Sequence, residues 1–285
     1  MTVVTMATQP TTSNAAVQRE LWGRHPRDWA EFQEGQLRSF YEAIVAGLAI
    51  GPETRLLDAG CGSGLFCRIA ADAGADVAGI DAAPELLEIA RERTPTGTFV
   101  HGDFESLPWP DESFDLVTGI ASFSFTANPA TALREAGRVL RRNGRVVIGT
   151  WGPPDLCEAG VVLAALAQLL PHERHDAPGP FRLSLPGLLE AFVAVGGLEV
   201  ERSEDVFCTW LYASDEIALR ALLAGGSAAA AIPHAGEEAV RAALMRALAP
   251  HSDSAGGYRL ENVFRYVVAR PLDGSRAEWD REGDP

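Results

Sequence analysis

Short apolar runs alternate with segments of helical spacing between residues 54 and 151. Each run is four to six residues long, and the next segment repeats its apolar positions every three or four residues. Strands separated by helices of this length form parallel, doubly wound sheets with right-handed crossovers. The pattern predicts strands at 54–58, 76–80, 98–101, 114–119 and 145–150, with helices at 65–73, from 84 and at 129–141.

The segments on either side of this core have a different pattern. Residues 15–48 have one apolar face rich in aromatic residues, and His25-Pro26 divides that helical segment in two. Its aromatic side chains are explained equally by packing of an outer helix and by a lid over a pocket. Beyond Trp151, helices are predicted at 156–170, 186–195, 214–223 and 236–249, strands at 198–210 and 258–269, and a Gly/Ala-rich connection at 225–231.

The segment from Arg55 to Gly64 carries the clearest local signal. A short strand closes at Asp58, glycines follow at every second position to Gly64, and a helix begins at Leu65. Glycine suits backbone with positive φ or close approach of a ligand, and the helix start offers unpaired N–H groups. The strand, turn and helix therefore predict a nucleotide-type binding unit, although its third glycine comes one residue earlier than in the dinucleotide pattern.

Acidic residues follow the first three predicted strands. Asp58, Asp81 and Asp103 each stand where a strand ends. Ligands of open α/β sheets bind at this edge. Three carboxylates would repel a pyrophosphate and attract a ligand that carries an ammonium and a sulfonium group.

Composition narrows the class of protein. The chain has 285 residues, 47% of them hydrophobic, which suits one large domain with a full core. Its net charge of −15 argues against nucleic acid or an anionic membrane as the main partner. No apolar run approaches the roughly 20 residues of a membrane span. The polar residues 1–14 lack the features of a signal peptide and are expected to be a disordered tail.

The four cysteines, Cys61, Cys67, Cys157 and Cys208, form no C-x-x-C motif. Small buried apolar roles in a reduced, cytoplasmic protein are the simplest interpretation.

Four motifs together resemble class I S-adenosylmethionine-dependent methyltransferases of the group that includes the ubiquinone-biosynthesis enzymes. They are Leu57–Gly64, Gly79–Asp81, Gly102-Asp103 and Phe114–Val117. The helix–turn–strand segment 138–147 is similar too, with Asn143 in place of the commoner Pro or Gly.

The resemblance implies an α/β fold with a doubly wound, seven-stranded, mostly parallel sheet. The implied strand order is 3-2-1-4-5-7-6, with the last strand antiparallel and helical lid insertions. The implied methyltransferase domain spans residues 15–270. Its parts are an N-terminal helical cap (15–50), a cofactor-binding core (51–151), lid insertions (152–185 and 213–250) and the last strands (198–211 and 257–270), with a charged tail at 271–285.

The resemblance also implies S-adenosyl-L-methionine as cofactor, S-adenosyl-L-homocysteine as product and a role for each motif residue. Asp58 would hold the ammonium through water, Asp81 would accept from both ribose hydroxyls, and Asp103 would accept from the adenine amino group. The remaining residues expected to contact the cofactor are Gly60, Cys61, Gly62, Gly64, Ala82, Phe104 and Ile120.

Methyl transfer mainly requires donor and acceptor to be held in line and away from water, so a general base is needed only for an acceptor with a proton of high pKa. The sequence leaves the catalytic residues unknown, with His234 and Glu261 as the candidates kept for that role. Trp29, Phe123, Trp151 and Tyr258 are the candidate substrate contacts, and no metal site is expected. The predicted partners are a small, mainly apolar substrate and a second copy of the chain, without nucleic acid or a membrane span.

Three other functions remain open from the sequence. The chain could bind the same cofactor without transferring the methyl group, as in a cyclisation, or it could be an NAD-dependent oxidoreductase. It could also be a non-catalytic binding module, because fold does not fix function.

Overall fold

A seven-stranded sheet forms the centre of the computed structural model, which describes residues 14–171 and 179–272. Its order is β3-β2-β1-β4-β5-β7-β6. The first five strands run parallel to one another, and β7 is antiparallel to both β5 and β6. This is the predicted fold class. The strands are β1 (Arg55–Ala59), β2 (Asp76–Asp81), β3 (Thr98–His101), β4 (Phe114–Ile120), β5 (Leu140–Trp151), β6 (Leu198–Tyr212) and β7 (Tyr258–Pro271).

Helices cover both faces of the sheet, because successive strand residues point to opposite sides. In β1, the fully buried Leu56 belongs to one core cluster and Leu57 to the other. The helices are α1 (Ala15–Trp22), α2 (Pro26–Asp28), α3 (Arg38–Gly47), α4 (Leu65–Asp72), α5 (Pro84–Arg93), α6 (Pro129–Val139), α7 (Gly160–Ala167), α8 (Leu188–Ala194), α9 (Asp215–Leu223), α10 (Gly226–Ala235) and α11 (Glu237–Leu248). The layer of α6 and α8 packs on one face, and α3 and α4 pack on the other.

The N-terminal cap, residues 14–47, is less regular than its apolar periodicity predicts. Between α2 and α3 the chain forms a π-helix, Trp29–Gln33, and then a 3-10 helix, Glu34–Leu37. The wide turn joins the N–H of Glu34 to the carbonyl of Trp29. Turns of this kind are rare and frequent at functional sites.

The prediction of a Gly/Ala-rich connection at 225–231 is wrong. This segment is helical and forms most of α10. Pro233 lies inside α10, and His234 stands in its last turn. Alanine is the best helix former, and burial of Ala228, Ala229 and Ala231 outweighs the cost of the proline.

The turn predicted at Asn143-Gly144 lies within β5, which begins five residues earlier than expected. Asn143 has φ +65°, and the pairing register between β4 and β5 shifts between Phe114 and Leu116. Between these two pairs β4 advances two residues and β5 advances five, so the extra residues of β5, Asn143 among them, bulge out without ending the strand.

Neither terminal tail can be compared with its prediction, because residues 1–13 and 273–285 lie outside the described residues. Across the described chain, no single helix has the length and hydropathy to cross a bilayer. The pair α9 and α10 meets the criterion jointly, with a bend of 90° between them.

Candidate functional site

A cleft of about 980 Å³, a volume that includes its open mouth, lies at the carboxyl ends of β1, β2 and β4. This is the edge where open α/β sheets bind ligands. Nine of the ten residues predicted to contact the cofactor line it: Asp58, Gly60, Cys61, Gly62, Asp81, Ala82, Asp103, Phe104 and Ile120. Gly64 does not. A Cβ there would lie 2.7 Å from the Cβ of Ala90, so Gly64 lets α5 approach the turn.

The glycine turn exposes bare backbone to the cleft. Gly60 and Gly62 have φ of +80° and +53°, in the region that side chains disfavour. A Cβ on Gly60 would lie 2.4 Å from the Cβ of Ser122, which follows β4. The hydroxyl of Ser122 donates to the carbonyl of Ala59 at 2.6 Å. The end of β4 is therefore fixed directly against the turn, and only glycine fits between them.

Asp81 organises the turn and keeps capacity for a ligand. One of its carboxylate oxygens accepts from the N–H of Gly62 and the other from the N–H of Ala83, both at 2.8 Å. A carboxylate offers about four acceptor positions, so roughly two remain for other donors. Burial raises the pKa of Asp81, and the backbone N–H groups oppose that rise. Asp103 similarly accepts from the N–H of Glu105 at 2.9 Å.

Asp58 is the most enclosed carboxylate of the strand ends, with 3% of its surface exposed. The pKa of Asp58 is raised to about 7. Burial is the largest cause, and the nearby carboxylates of Asp81 and Glu34 also raise it. The hydrogen bond that Thr118 donates at 2.7 Å opposes this rise. Asp58 therefore changes charge near neutral pH. A cation brought into the cleft would favour its ionised form.

Glu34 is a site residue that the sequence did not reveal. Its buried carboxylate accepts from the hydroxyl of Ser63 at 2.6 Å and pairs with Arg93 of α5. Arg93 also donates to the carbonyls of Ala30 and Ser63. Burial raises the pKa of Glu34, and Arg93 lowers it. This group of side chains joins the N-terminal cap to the glycine turn.

Aromatic side chains form the outer wall of the cleft. Trp22 contacts Trp29 edge to face at 4.8 Å between ring centroids, and Phe125 at 6.3 Å. Trp29 was predicted to contact the substrate, and it lines the cleft. The cap was predicted to be either a lid over a pocket or a packed outer helix, and each description fits part of it. Trp22, Trp29, Leu37 and Tyr41 line the cleft, whereas Phe40 and Ile44 are fully buried in the core.

The other three candidate substrate contacts do not line the cleft. Phe123 is 1% exposed and packs against Phe104 and beneath Gly119. Trp151 packs against Phe264, with 4.5 Å between ring centroids. Tyr258 is buried and donates its hydroxyl proton to Asp215 at 2.7 Å. The structure thus gives these residues packing roles, because the region beyond Trp151 covers β7 rather than the cleft.

Neither candidate base lies in the cleft. His234 is exposed at the end of α10. Glu261 accepts from the hydroxyl of Thr209 on the neighbouring strand β6 and pairs with Arg259. Within the described ranges, no group of three or more His, Cys, Asp or Glu side chains could hold a metal ion. All four cysteines are buried and free.

The sequence missed most residues of the outer wall. Trp22 and Tyr41 belong to the aromatic stripe, which was a usable signal. Gln18, Glu34 and Phe125 carried no signal, since each resembles an ordinary helix or loop residue until the fold brings it to the cleft.

Residues 57–148 match the family described as methyltransferase domain. Among curated proteins, the chain is 29% identical over 185 residues to a malonyl-[acyl-carrier protein] O-methyltransferase of Erwinia pyrifoliae, covering 62% of this chain and 70% of that protein. It is 33% identical over 120 residues to a demethylmenaquinone methyltransferase of Renibacterium salmoninarum, covering 42% and 51%. A third relative, the malonyl-[acyl-carrier protein] O-methyltransferase of Serratia marcescens, is 35% identical over 38% of this chain, and the chain spans only 43% of its length.

Solved structures share the fold at lower identity. The YcgJ protein of Bacillus subtilis superposes with a TM-score of 0.53 at 21% identity, covering 81% of this chain and 98% of that one. The [4+2]-cyclase SpnF superposes with a TM-score of 0.52 at 23% identity, covering 81% and 80%. The same architecture thus occurs in a protein described as a cyclase.

Proposed function

We propose that the protein transfers a methyl group from S-adenosylmethionine to a small, mainly apolar molecule, because residues 57–148 match the methyltransferase domain family. The observation that carries the proposal is the junction of a bare-backbone glycine turn with three strand-end carboxylates in one cleft. Cationic ligands are attracted to such a site. The proteins of similar sequence that are named methyltransferases support the same activity.

The residues present fit this cofactor. Gly60 and Gly62 leave room for a ligand to lie on the main chain, where a Cβ would fill the space or strain the turn. We assign Asp58 to the ammonium group, Asp81 to the ribose hydroxyls and Asp103 to the adenine amino group. Each carboxylate oxygen of Asp81 accepts from one backbone N–H and keeps acceptor capacity for a ribose hydroxyl.

When bound, S-adenosylmethionine supplies a methyl group on a sulfonium leaving group. The protein's task is then to orient the acceptor and exclude water. The cap supplies that enclosure, because Trp22 and Trp29 cover the outer part of the cleft. Among the described lining residues there is no histidine, so we expect no histidine base. An acceptor that keeps its proton until transfer would have to lose it to water or to one of the carboxylates.

Calorimetric titration with S-adenosylhomocysteine tests the proposal. The parent should bind, and Asp81→Ala should bind at least about tenfold more weakly, since it removes acceptors for two hydroxyl groups. Asp76→Ala is the matched control, because Asp76 begins the same strand and is exposed at the opposite end. Absence of heat with the parent, or an Asp81→Ala protein that binds like the parent, overturns the assignment.

Two further measurements separate the alternative functions. Release of S-adenosylhomocysteine during turnover identifies methyl transfer, whereas turnover without that product identifies a reaction that uses the cofactor otherwise. Binding of NAD in place of S-adenosylhomocysteine would identify an oxidoreductase. A cytoplasmic location and a homodimer stay predictions, and fractionation of cells and sedimentation of the purified protein would test them.

A further inference from the structure

The outer half of the cleft selects its ligand by charge, shape and one hydrogen bond, and we infer that it takes a neutral, flat, conjugated molecule bearing a hydrogen-bond-accepting oxygen. This inference names the methyl acceptor's class and so rests on the proposed function. The group that carries it is Trp22, Trp29 and Phe125 with the amide of Gln18.

Charge excludes anionic acceptors. Five carboxylates line the cleft: Glu34, Asp58, Asp81, Asp103 and Glu105. The described residues that line it include no arginine, lysine or histidine. Arg93 offsets only Glu34, to which it is paired, and the cofactor brings a single net positive charge. An acceptor with a free carboxylate would enter a site that is still negative and has no cation to receive it.

Shape favours a flat ring. The indoles of Trp22 and Trp29 stand at 78° to each other, and Trp22 and Phe125 stand at 67°. These planes form a corner in which a ring can meet one indole by its face and another by its edge, the two arrangements that aromatic rings prefer. Trp22 packs against α10 on its outer side. A Cβ added to Gly226 of α10 would lie 3.0 Å from the Trp22 ring. The corner is thus held by packing on its outer side.

Gln18 is the hydrogen-bond donor, and its contact with Trp22 determines which way its side-chain amide is turned. The indole N–H of Trp22 points at Gln18 Oε1 at 3.1 Å. An indole nitrogen only donates, so the Gln18 atom facing it must be the amide oxygen. The amide nitrogen, with two N–H donors, is left over, and it has no acceptor among residues 14–171 and 179–272. A carbonyl or hydroxyl oxygen of the ligand would satisfy it.

Three probes of one size separate these features: naphthyl methyl ketone, naphthoate and ethylnaphthalene, all substituted at the same ring position. Their dissociation constants are measured by quenching of tryptophan fluorescence, with and without saturating S-adenosylhomocysteine. The ketone should bind best. Ethylnaphthalene should bind about 3- to 10-fold more weakly because it lacks the accepting oxygen. Naphthoate should bind more weakly than either.

Gln18→Leu isolates the hydrogen bond. It should reduce affinity for the ketone about 3- to 10-fold and leave ethylnaphthalene unchanged, so that the two bind alike. Gln168→Leu, at the exposed end of α7, is the matched control and should leave all three affinities as in the parent. A structural effect of Gln18→Leu would weaken all three probes together.

Two results overturn the inference: naphthoate binding as tightly as the ketone, or Gln18→Leu changing the three affinities in parallel. Failure of the proposed function looks different, because it appears in the titration with S-adenosylhomocysteine. A protein that binds S-adenosylhomocysteine but does not prefer the ketone refutes the acceptor class alone. A protein that prefers the ketone without binding S-adenosylhomocysteine supports the acceptor site and refutes the cofactor.

Discussion

The N-terminal cap was predicted to be either a packing element or a lid, whereas the insertions at 152–185 and 213–250 were predicted to be lids. Of these two regions only the cap lines the cleft. The described residues of the insertions, 152–171, 179–185 and 213–250, are called the insertion below. The cap supplies Trp22, Trp29, Glu34 and Tyr41 to its wall, whereas no described residue of the insertion lines it. The insertion packs largely on itself and supports the cap from outside, as where Arg220 of α9 binds Asp28 at 2.6 Å.

Apolar composition alone therefore does not identify a lid. The insertion is rich in Ala and Leu, and residues such as Ala228 and Leu244 use that character to fill a core. The cap combines aromatic rings with buried polar side chains. Buried polar groups need partners, and those of the cap find them on the glycine turn. Mixed aromatic and polar character is thus the better mark of a cover over a binding site.

The largest contrast should come from two glycines with similar φ, +80° at Gly60 and +82° at Gly236. Gly60→Ala combines positive-φ strain of about 1–2 kcal/mol with overpacking of about 1–3 kcal/mol against Ser122. Gly236→Ala, between α10 and α11, has φ +82° and open space around it, so only the strain remains. Urea unfolding measures both, and calorimetry should show cofactor binding lost only in Gly60→Ala. Equal destabilisation by the two changes would contradict the close contact with β4.

Next in size is the ion pair between cap and turn. Glu34→Gln leaves Arg93 without its counterion and should lower the free energy of unfolding by about 3 kcal/mol, the low end for a buried pair because Arg93 keeps 24% exposure. Glu237→Gln removes an exposed pair with Arg241 in the insertion and should cost about 0.5 kcal/mol or less. The comparison fails if both variants unfold at the same urea concentration.

A pH titration sharpens the contrast between cleft and insertion through Asp58. Its pKa of about 7 makes it neutral at lower pH. Only the ionised form attracts the cofactor's ammonium, so affinity for S-adenosylhomocysteine should fall about tenfold between pH 8 and pH 6. Stability of the free protein should change in the opposite direction. Since folding raises this pKa, the unfolding free energy falls as pH rises from about 4 to 7.

Asp58→Asn is the control for both readouts. It should flatten the affinity profile over that range and remove the matching part of the stability profile. An unchanged profile would mean that another group titrates.

The smallest effect concerns the cap's contact with the edge strand β6. The amide of Gln36 donates to the carbonyl of Leu211 at 2.8 Å and accepts from its N–H at 2.9 Å, as a neighbouring strand would. Gln36→Ala should cost about 1 kcal/mol, because both bonds are exposed to solvent. Gln168→Ala in the insertion should change stability by less than about 0.5 kcal/mol. If this contact does not stabilise the cap, Gln36→Ala and Gln168→Ala would unfold at the same urea concentration.

Features with a local cause could be predicted from the amino-acid sequence. Alternation of apolar runs and helices specified the parallel core, and β3 has the predicted bounds. Gly60 and Gly62 marked the turn because few other residues adopt that backbone, and Asp58, Asp81 and Asp103 marked the strand ends.

The residues that cover the cleft could not be predicted in this way, because contacts between distant segments bring them there. Glu34 meets Arg93 across 59 residues, and Gln33 accepts from the hydroxyl of Tyr212 across 179. Periodicity reveals that a helix has an apolar face, but not which surface lies opposite it. Trp151 and Trp29 were therefore both predicted to contact the substrate, and the packing of distant segments placed Trp151 against β7 and Trp29 at the cleft.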